Sequence, residues 1–116
     1  MQKVNLAEKL ALFDSHWDPH VVADYNDNEV MVVKFQGEFP LHSHPDTDDF
    51  FLVIDGEVLL DIEDETLTLG PGELAVVPRG KVHRPRAILE AKVLLIEPKG
   101  VPNTGDPATA TAKPKI

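Results

Sequence analysis

From residue 21 onward, apolar and polar residues alternate over short stretches of the chain. In residues 57–63, Val58, Leu60 and Ile62 share one face of an extended chain, and acidic residues dominate the other face. Asn, Asp, Gly and Pro residues, which favour turns, separate such stretches. The pattern predicts nine strands, over residues 21–25, 29–36, 41–44, 49–54, 57–63, 66–69, 73–77, 82–86 and 91–97.

No helical pattern separates these strands, so we expect an all-β antiparallel sandwich or barrel; a parallel sheet would need crossover helices. The one helical pattern comes first: Asn5 is a capping residue, and Leu6, Leu10 and Phe13 predict a short amphipathic helix over residues 6–13. We therefore expect a helix and lid in residues 1–19 and a barrel in residues 20–98. Residues 99–116 are expected to be a largely flexible extension, because residues 107–116 are rich in Ala, Thr, Pro and Lys; residues 99–106 remain able to lie over the barrel.

One predicted strand does not alternate. Residues 50–54 read Phe-Phe-Leu-Val-Ile and are apolar on both faces. A strand buried on both sides needs a second cover, which is either the N-terminal helix or another subunit. We therefore expect a homodimer.

Composition removes several classes of function. The 116 residues include no cysteine, which excludes disulfides and thiolate metal sites. The net charge is −9, and residues 46–65 hold nine acidic residues and no Lys or Arg, so we expect no nucleic-acid partner. The sequence also has neither a signal-peptide pattern nor an apolar run long enough to span a membrane, and we expect a cytoplasmic protein with no membrane partner.

Candidate metal ligands occur in two stretches. His42 and His44 are two residues apart, so an extended chain places both on one face, and Asp49 begins the next predicted strand. His83 follows a Pro-x-Gly turn at the head of a later strand. Alone it would be read as a partly buried histidine satisfied by the backbone. Together, three imidazoles and a carboxylate are ligands that suit a divalent transition metal.

These two stretches resemble the paired motifs of the cupin superfamily, G-x5-H-x-H-x(3,4)-E-x6-G and G-x5-P-x-G-x2-H-x3-N. The matching residues are His42, His44, Asp49 and Gly56 in the first motif, and Gly72, Pro78, Gly80 and His83 in the second. The whole chain is similar to small single-domain cupins labelled mannose-6-phosphate isomerase-like. The resemblance implies a double-stranded β-helix, also called a jelly-roll barrel, with a metal bound by His42, His44, Asp49 and His83.

The chain departs from the cupin motifs at three places. Gly37 is one residue too close to His42, Ala87 stands where the second motif has Asn, and Asp49 replaces Glu. Because Asp is one methylene shorter, two alternatives stay open: Asp49 ligates the metal, or the site consists of three histidines and water. The neighbouring Asp48 should point to the opposite face.

The ligand set and the resemblance together favour an enzyme that uses Fe, Mn, Ni, Cu or Zn. We expect it to act on a small oxygen-rich metabolite through dioxygenase- or isomerase-type chemistry. The alternatives are a non-catalytic binding or sensing module and a structural barrel without a metal. Phe35, Phe51 and Val76 are the candidate residues of the substrate pocket.

Overall fold

A computed structural model of the protein describes residues 1–116. The elements are one helix, α1 (Leu6–Leu10), and seven strands, β1 (His20–Tyr25), β2 (Asn28–Glu38), β3 (Asp49–Asp55), β4 (Val58–Ile62), β5 (Glu65–Leu69), β6 (Leu74–Val77) and β7 (His83–Pro98). Every pairing between these strands is antiparallel. The predicted fold class, an antiparallel β-barrel preceded by a short helix, is confirmed.

The long strand β7 joins the two halves of the barrel. Its first part pairs with β4, its later part pairs with β3, and β2 runs along most of its length. The sequence predicted two strands here, over 82–86 and 91–97, but the structure has one strand of 16 residues. The prediction was wrong because Ile88, Leu89 and Glu90 are all exposed and interrupt the alternation, although the backbone stays extended.

The predicted strand over residues 41–44 is reduced to one bridge between His42 and His83. The two residues exchange backbone hydrogen bonds, with N···O distances of 3.0 and 2.9 Å. Pro40 and Pro45 flank this stretch. Since proline has no backbone N–H, a longer ladder cannot form there.

The helix α1 begins where the sequence predicts it and ends earlier. Asn5 is its N-cap, with the side-chain oxygen accepting a hydrogen bond from the Glu8 backbone at 3.0 Å. Phe13, expected in the helix, lies beyond its end and stacks on His20 with 3.9 Å between ring centroids. No helix in the structure has the length and apolar character needed to cross a lipid bilayer.

Buried and half-buried side chains alternate along β3, although residues 50–54 are all apolar. Asp49, Phe51 and Val53 are buried inside the barrel, and the residues between them face outward and are half-buried. Of these, Ile54 packs against a small cluster that includes Leu10 of α1. The N-terminal helix thus supplies part of the second cover that the sequence requires.

The C-terminal segment (residues 99–116) follows the surface of the barrel and is not free of it. Pro114 accepts a backbone hydrogen bond from Val21 at 2.8 Å, and Ile116 donates one to Val21 at 3.0 Å. Strand β1 is at the end of the strand order, so its outer backbone groups have no other strand partner. The prediction of a largely flexible extension rested on composition, which does not register this docking onto an edge strand.

Gly56 is the position at which the barrel should tolerate a side chain least. Its φ is +85°, and a Cβ there would lie 2.9 Å from both the Ala91 Cα and the Glu90 carbonyl oxygen. Gly37 has the same φ with nothing within 4 Å, which makes it a matched control. We expect Gly37→Ala to cost about 1–2 kcal/mol of unfolding free energy, and Gly56→Ala at least about 1 kcal/mol more, because backbone must also move.

Urea denaturation of the two variants measures this difference directly. Equal losses of unfolding free energy in Gly56→Ala and Gly37→Ala would contradict the close packing of the β3–β4 turn against β7.

Candidate metal centre

The structure brings together the four residues that the sequence marks as metal ligands. His42 and His44 lie between β2 and β3, Asp49 is the first residue of β3, and His83 is the first residue of β7. One potential ligand atom from each of them lies within 4.8 Å of all the others. We call these four residues the His–Asp cluster.

The backbone fixes the orientation of two of the imidazoles. His42 Nδ1 lies 2.9 Å from the Pro40 carbonyl oxygen, and His83 Nδ1 lies 2.9 Å from the Lys81 carbonyl oxygen. A carbonyl oxygen can only accept, so each Nδ1 must carry the proton that it donates. In the neutral ring this leaves an unprotonated Nε2 facing the cluster, which is the form that binds a metal ion.

The contact between His83 and Asp49 calls for a positive charge. His83 Nε2 is 2.8 Å from Asp49 Oδ2, and both groups are buried. Because Nδ1 of His83 already donates to a carbonyl, either a proton shared between Nε2 and Oδ2 or a bound cation must lie between these two lone-pair atoms. A divalent metal ion satisfies this requirement for the whole cluster at once.

His44 carries the clearest sign of a missing partner. Its Nε2 is buried and has no hydrogen-bond partner in the chain. Asp49 Oδ2 is 3.3 Å away, but the approach does not have the direction of a hydrogen bond. A buried polar atom without a partner costs about 1–3 kcal/mol, and metal coordination would remove that cost.

The pKa shifts in the cluster favour the metal-binding forms of His42 and Asp49 and the protonated form of His44. Burial lowers the pKa of His42, which keeps its imidazole neutral. Burial alone would raise the pKa of Asp49, but the contacts with His44 and His83 outweigh it and lower that pKa to about 2. The same contact with Asp49 raises the pKa of His44, so a metal ion would compete there with a proton.

Asp49 reaches the centre of the cluster despite its short side chain. Its Oδ2 lies 2.8, 3.3 and 4.0 Å from the Nε2 atoms of His83, His44 and His42. Two ligands that are each ~2.1 Å from one metal ion are ~3.0–3.4 Å apart at octahedral or tetrahedral angles. The residues therefore fit a transition-metal ion with nitrogen and oxygen ligands.

Asp48 points away from the cluster, as the sequence predicts. Its Oδ1 accepts a hydrogen bond from the Arg79 backbone at 3.0 Å, and its side chain is about half exposed. It is therefore in no position to replace Asp49 in the His–Asp cluster.

A small cavity adjoins the His–Asp cluster. It is lined by His42 and Asp49 together with aromatic, aliphatic and a few polar residues. Its volume is about 40 Å³. One water needs about 10–15 Å³ of such space, so the cavity suits a small ligand that extends into its open mouth.

Two of the three predicted pocket residues line this cavity. Phe35 and Phe51 do so, with their ring centroids 6.4 Å apart in an edge-to-face arrangement. Val76 does not, because inward and outward positions alternate along β6: Val77 is buried, while Val76 is 49% exposed on the outer face.

The other residues of the cavity lining were not singled out from the sequence, and they include Trp17, Phe39, Glu97 and Asn103. For Glu97 a signal existed. It continues the inward-facing row that contains Val93 and Leu95, and a charged residue at such a position is unusual. No comparable signal existed for Trp17, which lies in an irregular stretch outside the strands.

The sequence of residues 29–97 matches the family model described as the cupin domain. This match spans more than half of the 116 residues, and the chain belongs to the cupin family. The family expectation drawn from the two motifs is thereby confirmed.

Individual relatives agree with this assignment. An uncharacterized protein of Bacillus subtilis (strain 168), YdbB, is 38% identical over 79 residues, which are 67% of this chain and 70% of that one. A crystal structure of a cupin-2 domain protein from Shewanella frigidimarina NCIMB 400 is 42% identical with a TM-score of 0.82, covering 83% of this chain and 94% of that one.

A more distant structure shares the fold. It is hydroquinone 1,2-dioxygenase PnpCD in complex with Cd²⁺ and 4-hydroxybenzonitrile, which is 20% identical with a TM-score of 0.69. The alignment covers 79% of this chain and 70% of that one.

Proposed function

We propose that the His–Asp cluster holds one divalent transition-metal ion. The observation that carries this proposal is the buried His44 Nε2 without a hydrogen-bond partner, at a point where the ligand atoms of three further residues lie within 4.8 Å. Nitrogen and oxygen ligands without sulfur suit Fe, Mn, Ni, Cu or Zn, and affinity order alone does not choose among them. The distant cupin structure with Cd²⁺ is consistent with a metal on this fold.

A metal ion bound there would supply a Lewis acid that polarises an oxygen atom of the substrate. The chain supplies the rest of the site. Three neutral imidazoles and one carboxylate leave a net charge of about +1 on the centre, which favours a ligand that binds through oxygen. Phe35 and Phe51 give the cavity apolar walls, and electrostatic interactions with a ligand are stronger in such surroundings than in water.

We further propose that the protein is an enzyme acting on a small oxygen-rich metabolite by dioxygenase- or isomerase-type chemistry. The small size of the cavity and its position beside the His–Asp cluster support this proposal. A binding or sensing module would use the same pocket without turnover.

The test begins with protein purified without chelator and loaded separately with each of the five metals. Oxygen consumption is followed with catechols, diketones and sugar acids, and NMR follows isomerisation without oxygen. Turnover that requires one metal and is absent from the His42→Ala variant is the expected result. Ligand-induced thermal shifts without turnover would favour the binding module, and no metal uptake at all would overturn the proposal.

Asp49→Ala separates the two ligand sets that the sequence leaves open. Asp49 Oδ2 lies 2.8 Å from His83 Nε2 and 3.3 Å from His44 Nε2, so we expect the loss of this carboxylate to weaken metal affinity. The loss should be at least about 10–100-fold, because removing a residue that only hydrogen-bonds a metal ligand already costs that much. Asp48→Ala is the matched control, since Asp48 pairs with Arg79 outside the cluster. Titration with a competing chelator measures both affinities.

An Asp49→Ala variant that binds metal within about twofold of wild type, like Asp48→Ala, would mean that three histidines and water suffice.

The homodimer also remains a proposal. Outward-facing Leu74 and Val76 on β6 are 54% and 49% exposed, and they pair in register with half-buried Leu52 and Phe50 on β3. This apolar outer face is a surface that a second copy could cover. Analytical ultracentrifugation at several concentrations tests it, and a monomer throughout would contradict it.

A further inference from the structure

Glu97 is a buried acidic residue that borders the cavity but does not belong to the His–Asp cluster. It is 4% exposed and lines the cavity near the end of β7. Phe50 pairs with Ile96, so one step further in the same register Glu97 lies across from Asp49 on the inner face. Opposite residues of this kind have Cβ atoms about 4.5–5.5 Å apart, which places Glu97 beside the proposed metal.

Only one of the two carboxylate oxygens of Glu97 has a partner in the chain. Oε2 accepts a hydrogen bond from Lys113 Nζ at 3.1 Å. Oε1 accepts no hydrogen bond from the chain, and it is not fully buried. Since Glu97 lines the cavity, Oε1 is available to a molecule there.

Lys113 comes from the C-terminal segment and holds Glu97 in place. Its side chain is 11% exposed, and its ammonium group also donates to the Val101 carbonyl oxygen. The same segment contributes Asn103 to the cavity lining and packs Gly105 against the Ser43 carbonyl, between His42 and His44. The C-terminal segment therefore contributes to the wall of the pocket through Asn103 and supports it through Lys113.

The rest of the pocket is shaped by an aromatic wall, made of Trp17, Phe35, Phe39 and Phe51. Trp17 stacks on Phe35 with 4.4 Å between ring centroids and an angle of 21°. Its φ of +58° is unusual for a bulky residue, and hydrogen bonds from its backbone to Lys34 and from its indole to Gln36 maintain it. Fixed aromatic faces favour a planar ligand.

We propose that Glu97 is a specificity-determining residue, whose Oε1 accepts a hydrogen bond from a hydroxyl group of a small planar ligand. The ligand places a second oxygen toward the His–Asp cluster and its ring along the aromatic wall. Lys113 is a positioning residue, because it occupies Oε2 and leaves Oε1 for the ligand. This inference rests on the proposed metal centre and specifies what that centre binds.

The test compares phenol with the 1,2-, 1,3- and 1,4-dihydroxybenzenes as ligands of the Zn²⁺-loaded protein. Zn²⁺ has no redox chemistry, so the probes are bound and not oxidised. Isothermal titration calorimetry gives the dissociation constants. A hydrogen bond to a charged group corresponds to roughly 10–100-fold in affinity, so at least one dihydroxybenzene should bind that much more tightly than phenol.

Two variants test the residue itself. Glu97→Gln should remove most of the preference for the dihydroxybenzene over phenol, with both affinities measured on variant protein whose Zn²⁺ loading has been confirmed by elemental analysis. Because this change leaves Lys113 buried without its charge partner, a second variant, Glu97→Leu with Lys113→Met, removes the pair together. Lys115→Met is the matched control: Lys115 lies in the same segment but pairs with exposed Asp24.

The outcomes separate this inference from the metal proposal. A wild-type protein that retains none of the five metals after loading, by elemental analysis, would overturn both. A Zn²⁺-loaded wild type that binds every dihydroxybenzene no better than phenol would overturn only the role of Glu97. The role of Glu97 would also be overturned if the Glu97 variants kept the preference for a dihydroxybenzene over phenol, or if Lys115→Met lost this preference as completely as they do.

Discussion

The His83→Ala variant is expected to retain less than about a tenth of the metal bound by the wild-type protein. His83 is 1% exposed, and its Nε2 is 2.8 Å from Asp49 Oδ2. Its backbone N–H and C=O both form hydrogen bonds with the backbone of His42. Its loss removes one ligand and also the contact that holds the Asp49 carboxylate in the cluster. Second-sphere changes alone cost 10–100-fold in metal affinity, so loss of a ligand should cost more.

His16→Ala is the matched control for His83→Ala, since His16 bonds Glu90 at the surface and does not line the cavity. Elemental analysis after metal loading and desalting measures both. Circular dichroism should show β structure in His83→Ala, because the imidazole can be lost without breaking the backbone bridge to His42. Wild-type metal content in a folded His83→Ala variant would mean that the ligand assignment is wrong.

The second large effect is on stability. A ligand that binds only the folded chain at 100 times its dissociation constant adds about 2.7 kcal/mol to the free energy of unfolding. For a domain of this size that corresponds to a rise in melting temperature on the order of 10 °C. We expect such a rise with at least one of Fe, Mn, Ni, Cu or Zn, and its reversal by a chelator.

Calorimetry of the wild type and of His83→Ala, with and without metal, makes this prediction specific to the cluster. The variant should melt at the same temperature under both conditions. If none of the five metals changed the melting temperature of the wild type, a preformed metal centre would be contradicted. If a metal raised the melting temperatures of the wild type and of His83→Ala equally, the metal would bind at another site.

The fold could be predicted where polar and apolar residues alternate visibly. Strands β2 and β4 lie within two residues of their predicted ends, and Asn5 caps the helix as expected. The prediction failed at β7, because exposed Ile88 and Leu89 break the pattern without breaking the strand. The docking of Pro114 and Ile116 was not predicted, because it depends on the free edge of β1, which only the sheet order reveals.

The cluster could be anticipated in part because its geometry is local. Two histidines separated by one residue share a face of an extended chain, and the Pro-x-Gly turn before His83 matches a second motif at fixed spacing. The cavity depends instead on long-range packing. Trp17 reaches it from an irregular stretch, and Glu97 meets Lys113 across 16 residues of chain. The alternation along β7 turns Glu97 inward, but neither its contact with Lys113 nor the position of Trp17 leaves a periodic trace in the sequence.

The most direct test of the metal centre is X-ray diffraction from crystals of the metal-loaded protein, with data on both sides of the absorption edge of the metal. The account predicts one anomalous peak about 2.0–2.2 Å from the Nε2 atoms of His42, His44 and His83 and from one oxygen of Asp49. Fully loaded crystals with no anomalous density among these four side chains, or with the peak bound elsewhere on the chain, would contradict it.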